Sequence, residues 1–194
     1  MAHVHHGKSS ETFLDSEEIL AELNLKGDET FMDAGCGDGH IAIKAIERYL
    51  PEGMAYAVDA YDGPIKELND YINKNNIEKL IAIEADITKA IPGVEDDSVD
   101  VALMVNVFHG FTSGNRDDVI DEFARILKYG GRLAIIEFKP VEMAWGPPTD
   151  IRYSPEELEE IFGNHNFRMV YLNEDIGAEI PQGKSHYLII FEKE

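Results

Sequence analysis

Residues 31–42 read Phe31-Met32-Asp33-Ala34-Gly35-Cys36-Gly37-Asp38-Gly39-His40-Ile41-Ala42. Apolar residues run into three alternating glycines, with Asp33 just before them. Ile41, Ala42, Ala45, Ile46 and Tyr49 then recur at helical spacing. Strand, tight loop and helix in that order open a βα unit. The glycines alone do not say what the loop holds.

Working outward, the chain repeats this alternation. Thr30–Ala34, 54–58, 80–85, the apolar run within 98–108 and 132–138 read as five strands. Helices are expected between them. One starts at the N-cap Asp15, with Glu18 at N3 and a Leu14–Ile19 staple, and stops at Gly27. Another opens at Gly63-Pro64. A third is capped by Asn115 and ended by Gly130-Gly131. Ser154-Pro155-Glu156-Glu157 has the N-cap, N1 proline and capping-box glutamate of a fourth, which Gly163 ends. Strands that are apolar throughout, joined by helices, predict a parallel sheet covered on both faces. The last two strands, "FRMVYLNE" and "KSHYLIIFEKE", have no helix between them and so form an antiparallel pair. The expected class is α/β, a doubly wound, Rossmann-like sheet. Residues 1–14 are read as a flexible arm and 15–194 as a single domain.

The 194 residues carry 17 Lys and Arg against 38 Asp and Glu, a formal net charge of −21. Such a chain repels nucleic-acid phosphates, so no nucleic-acid partner is expected. The charge is read as a solvated acidic surface, or as adaptation to salt or heat. No apolar run approaches the ~20 residues of a membrane span. The N-terminus lacks the apolar core of a signal peptide, so a cytoplasmic location is expected. Cys36 is the one cysteine. It excludes an intrachain disulfide and reads as a small loop filler rather than a nucleophile. No metal site is expected, and His3, His5 and His6 are taken as part of the exposed arm.

Three ligand classes compete for the loop. A phosphate loop needs Lys-Ser or Lys-Thr after the glycines, and neither is present. A dinucleotide loop wants G-x-G-x-x-G, but His40 stands at the last glycine position. Asp33 and Asp38 would also repel a pyrophosphate. S-adenosylmethionine inverts that logic, since it has no phosphate and carries a sulfonium and an ammonium. Asp59, at the end of the second strand, can accept both ribose hydroxyls. Asp86, after the third, can accept from an adenine amino group. Asn106, after the fourth, stands beside the expected methionine end.

With these residues in place, the sequence over about 10–194 resembles the small class I S-adenosylmethionine-dependent methyltransferases. Within them it resembles the ubiquinone/menaquinone-biosynthesis group. "DAGCGDG" is similar to that family's D-x-G-x-G-x-G loop, and "GPPTDIRYSPEEL" to a lid segment of some members. The resemblance implies a seven-stranded sheet of order 3-2-1-4-5-7-6 with the last strand antiparallel. It implies S-adenosylmethionine as cofactor, S-adenosylhomocysteine as product and a small-molecule acceptor. It further implies that Gly35, Cys36 and Gly37 line the cofactor through their backbone, and that Asp33 orients its amino-acid end. Asp59 would hold the ribose, flanked by Ala60 and Tyr61. Asp86 and Ile87 would read the adenine, and the Asn106 carbonyl would meet the ammonium.

On the acceptor side, His109 is the candidate general base, with a structural or substrate-shaping role as the alternative. Phe108 and Phe111 either line an apolar pocket or belong to the core. Glu137 either faces the substrate or pairs with Lys139. Trp145 with Gly146-Pro147-Pro148 forms a stiff lid or an ordinary surface loop. Arg152 either binds an anionic substrate or anchors its loop by an ion pair. The competing functions are a non-catalytic S-adenosylmethionine-binding protein on the same fold and an NAD-dependent oxidoreductase.

Overall fold

The computed structural model describes residues 14–194. Its core is one seven-stranded sheet: β1 (Thr30–Ala34), β2 (Met54–Asp59), β3 (Leu80–Glu84), β4 (Val99–Val105), β5 (Leu127–Phe138), β6 (Phe167–Ile180) and β7 (Gly183–Lys193). The order is β3-β2-β1-β4-β5-β7-β6, as expected. Strands β1 to β5 pair in parallel, and β7 runs antiparallel to both β5 and β6. Of the expected arm, residues 1–13, with His3, His5 and His6, lie outside the described residues. Leu14 belongs to the core, in the same apolar cluster as Ile19.

Alternate strand residues point to opposite faces, and both faces are apolar here. Phe31, Val101, Leu103, Ala134 and Ile136 meet α1 (Ser16–Glu22), α2 (His40–Lys44) and α3 (Asp62–Asn75). Met32, Ala102, Met104, Leu133 and Ile135 meet α4 (Arg116–Ile126) and α5 (Pro155–Gly163). This two-sided burial is why the central strands read as continuous apolar runs.

The expected caps hold at both ends of the helical set. The Asp15 side chain accepts from Glu17 N–H, and Ser154 and Glu157 form the full capping box. At the helix ends, three details differ from expectation, and strands β5 and β6 are longer than the expected 132–138 and 167–174. First, α1 ends at Glu22 because Asn24 takes the left-handed conformation (φ 49°) before Gly27 is reached. Second, α4 ends at Ile126 rather than at the glycines. Leu127 is already extended and pairs with Val99, and Gly130 sits in the irregularity that shifts the β4–β5 register. Third, Asn115 stands at the N-cap of α4, but its side chain accepts from Thr112 N–H instead of the helix. Beyond Lys44, α2 widens into a π turn over Ala45–Tyr49, where Leu50 N–H reaches Ala45 O.

No helix among the described residues is long and apolar enough to cross a membrane. All carboxyl ends of β1, β2, β4 and β5 open toward one edge of the sheet. The antiparallel β7 brings its first residues to the same edge, with Tyr187 opposite Glu137 and His186 opposite Phe138. Ligands of doubly wound sheets bind at this edge.

Candidate cofactor and acceptor site

The loop after β1 is held by β2. Val58 O accepts from both Gly35 N–H and Cys36 N–H, at 2.7 and 3.0 Å. Gly37 N–H donates to Asp59 Oδ2 at 2.9 Å, and Tyr61 N–H donates to Asp59 Oδ1 at 3.0 Å. A carboxylate has about four lone-pair directions. These two bonds orient Asp59 and leave acceptor capacity for two hydroxyls.

The glycines do different work. A Cβ on Gly35 would fall 2.4 Å from Val107 Cγ2, so Gly35 lets the loop close against the end of β4. A Cβ on Gly37 would meet nothing within 4 Å, although its φ is 54°. Its backbone borders open space, as a surface laid against a ligand would. Cys36 is buried, and burial together with Asp33 and Asp59 raises its thiol pKa. It stays protonated, in keeping with a filler role.

Asp33 is 2% exposed, and its Oδ2 has no hydrogen-bond partner among the described residues. Burial raises its pKa to about 7; His40 and the Ala42 backbone N–H oppose that shift, and Asp59 and Asp38 add to it. Asn106 adopts φ 57° and donates its N–H to Ile136 O, while its buried Oδ1 is likewise unpartnered. Sequence reasoning assigned Asn106 only a backbone role. Two buried acceptors without donors are costly, by roughly 1–3 kcal/mol each. They fit a ligand that brings N–H donors and positive charge.

Ala60 and Tyr61 are exposed beside Asp59. Asp86 lies two residues beyond β3 and is turned onto its own loop. Its Oδ1 accepts from Thr88 N–H and Oγ1, and its Oδ2 pairs with Lys89 at 3.0 Å. Three of its about four lone-pair directions are thus taken, which leaves one for an adenine amino group. The Ile87 side chain is core, so any contact it makes with a ligand runs through its backbone.

The other half of the site lies around the ends of β4, β5 and β7. His109, in the short turn Phe108–Gly110, places ring Nδ1 2.8 Å from Glu137 Oε2. Its backbone N–H also donates to Glu137 Oε1 at 3.0 Å. Both side chains are nearly fully buried. Of the two expected roles for Glu137, the pairing with Lys139 is not the one found: it lies within β5, and its side chain is directed by the pleat onto His109. With the carboxylate at Nδ1, that nitrogen carries the proton.

Phe108 is fully buried against Phe111, Tyr153 and Phe162, which assigns it to the core. Phe111 is half-buried, and its carbonyl accepts from Tyr153 OH.

Arg152 anchors its loop, as one of its two readings had it, but through backbone carbonyls rather than an ion pair. Its Nε and Nη atoms make five hydrogen bonds, to the carbonyls of Lys139, Val141, Trp145 and, twice, Pro147. Five is the full donor count of a guanidinium. Arg152 also sits over the Phe138 ring at 5.5 Å. It staples the segment 139–151 and leaves no N–H for an anionic substrate. Trp145, on that segment, packs edge-on to Phe138 at 5.8 Å.

His186 escaped sequence reasoning. The signal was present, since it is a lone histidine at the mouth of the apolar run "YLIIF". Only the β5–β7 register shows that it lies opposite Phe138.

The methyltransferase domain family model matches residues 25–193. A ubiquinone/menaquinone biosynthesis C-methyltransferase of Stenotrophomonas maltophilia is 26% identical over 84% of this chain and 64% of its own length. The 27-O-demethylrifamycin SV methyltransferase of Amycolatopsis mediterranei is 26% identical over 75% of this chain and 50% of its own. The chain thus spans between half and two thirds of these curated relatives. A SAM-dependent methyltransferase from Aquifex aeolicus superposes with a TM-score of 0.79 at 25% identity, covering 93% of this chain and 90% of that one. These likenesses imply S-adenosylmethionine as the cofactor. The unpartnered Asp33 Oδ2 and Asn106 Oδ1, the oriented Asp59 and the open face of Gly37 fit it. On its fold, its site and its family match, the chain belongs to the methyltransferase domain family.

Proposed function

We propose that this chain transfers a methyl group from S-adenosylmethionine to a small organic acceptor. The observation that carries the reading is the pair of buried, unpartnered acceptors, Asp33 Oδ2 and Asn106 Oδ1, beside the loop that Asp59 orients. When bound, the cofactor supplies a methyl carbon already activated by its sulfonium. Asp59 holds the ribose hydroxyls, Asp33 and Asn106 receive the ammonium end, and Gly35 to Gly37 allow close backbone approach. Ala60, Tyr61, Asp86 and Ile87 border the adenine.

The protein's contribution to rate is then placement, which is worth on the order of 7–11 kcal/mol in well-aligned reactions. His109 takes a proton from acceptors that must lose one, and Glu137 steadies the imidazolium that forms. That adds about 10²–10⁴-fold. The names of the two curated relatives, a quinone-pathway C-methyltransferase and a methyltransferase of 27-O-demethylrifamycin SV, support a small organic acceptor.

The test is release of S-adenosylhomocysteine across a panel of phenols, quinols and thiols. Turnover of at least one class is expected, with His109→Gln slowing it 10²-fold or more. Cofactor binding with no product release across the panel would favour the non-catalytic reading.

A further inference from the structure

His186 is 0% exposed, yet its Nε2 has no hydrogen-bond partner among the described residues. Its other ring nitrogen is fixed. Nδ1 lies 2.7 Å from Ser185 Oγ, and that oxygen already accepts from Ala178 N–H at 3.0 Å. The hydroxyl keeps a second lone pair, but its own buried proton needs an acceptor, and Nδ1 is the one bonded to it. The hydrogen-bond network therefore assigns the proton of the imidazole to Nε2. Burial, with Arg152 and His109 nearby, lowers the pKa of the ring to about 3, so it is a neutral donor at physiological pH.

The surroundings of that donor are aromatic. The imidazole lies 4.1 Å from the Phe138 ring centre and 6.2 Å from Trp145, nearly parallel to the latter. His109 packs edge-on to the same Phe138 ring, at 6.3 Å. Trp145 is half-buried, whereas Phe138 and His186 are buried, so the side of the cluster nearest solvent is the one Trp145 covers. Arg152 is fully committed to carbonyls. An uncharged oxygen suits a neutral donor; a carboxylate would find the Arg152 charge nearby but none of its N–H groups left to bond.

We propose that His186 is a specificity-determining residue of the acceptor site, donating its Nε2–H to an uncharged oxygen of a planar aromatic substrate that packs against Phe138 and Trp145. The inference rests on the methyl-transfer reading for the word acceptor, but its test does not require turnover.

The experiment uses the full chain saturated with S-adenosylhomocysteine and three bicyclic probes: 1-tetralone, its hydrocarbon tetralin, and tetralin-1-carboxylate. Ligand-observed NMR gives the three dissociation constants. The wild type is expected to bind the ketone about tenfold more tightly than the hydrocarbon, the worth of one net hydrogen bond, and the carboxylate no more tightly than the hydrocarbon. In His186→Phe the ketone preference should fall to within twofold of unity. A preference retained in His186→Phe, or a carboxylate preferred in the wild type, overturns the proposal. A second measurement needs no variant: the ring N–H resonance of His186 should shift with the ketone and not with the hydrocarbon. Equal shifts, or none, also overturn it. Should S-adenosylhomocysteine itself fail to bind the wild type, the cofactor reading falls, and that outcome is separate from a lost ketone preference.

Discussion

Gly37 N–H and Asp59 Oδ2 are hydrogen-bonded at 2.9 Å across 22 residues of sequence. One contact thus joins the loop after β1 to the end of β2 and aims the carboxylate into the site. Asp59→Ala removes the acceptor for two ribose hydroxyls and loosens the loop together. A bond to a charged group contributes roughly 1.5–3 kcal/mol, so S-adenosylhomocysteine affinity should fall at least a hundredfold. Calorimetry on the variant, with circular dichroism to verify folding, makes the comparison. An unchanged dissociation constant would mean that the ribose lies elsewhere.

Asp33 links binding to pH. Its folded-state pKa is raised from 3.8 to about 7, so the folded protein holds this proton more tightly than the unfolded chain. Its contribution to stability is present in full below about pH 4 and is lost as pH rises through about 7. The penalty above that is on the order of 4 kcal/mol. Asp33→Asn should therefore unfold at higher denaturant than the wild type at pH 8, and show no such gain at pH 4. The same substitution should abolish the rise of cofactor affinity between pH 6 and 7.5, where the wild-type carboxylate ionises to meet an ammonium.

His186 works in the opposite direction. Its folded pKa is lowered from 6.5 to about 3. The unfolded chain takes up a proton below pH 6.5 that the folded protein refuses. Stability from this group is present above about 6.5 and is lost as pH falls toward 3. At pH 5 the loss is about 2 kcal/mol. In His186→Phe this part of the acid sensitivity should vanish, as read from urea unfolding at pH 7.5 and pH 5.

The α/β class, the strand order and most strand limits were legible because hydrophobic period and cap chemistry are local. The glycine loop and Asp59 were legible because their spacing is short. The partners of Glu137 and Arg152, and the place of His186, were not legible, for one shared reason. Their roles depend on which distant atom lies opposite. Nothing in the run of residues from 132 to 138 says that the Glu137 side chain faces His109, 28 positions away. Arg152 reads as a charge in sequence, whereas its five partners are backbone carbonyls, which carry no sequence signal. The helix ends were misplaced where Asn24 took over the left-handed position expected of a glycine, and where β-pairing claimed Leu127.

Arg152→Lys keeps the charge and loses the fork. An ammonium has three donors for what are now five bonds, so two or more of them are lost. The segment 139–151 should loosen, with faster tryptic cleavage after Lys139 and a red-shifted emission from Trp145, the single tryptophan of the chain. The expected cost in stability is about 2–4 kcal/mol. Unchanged cleavage and emission would show that the staple is not what holds the segment.

The central claim is that the loop at residues 33–39 receives a cationic, phosphate-free ligand. Titration calorimetry of the full chain with S-adenosylhomocysteine, S-adenosylmethionine and NAD tests it most directly. Saturable one-to-one binding of the first two, with no measurable heat from NAD, is the predicted result. Tight binding of NAD with none of either adenosyl ligand would contradict the account.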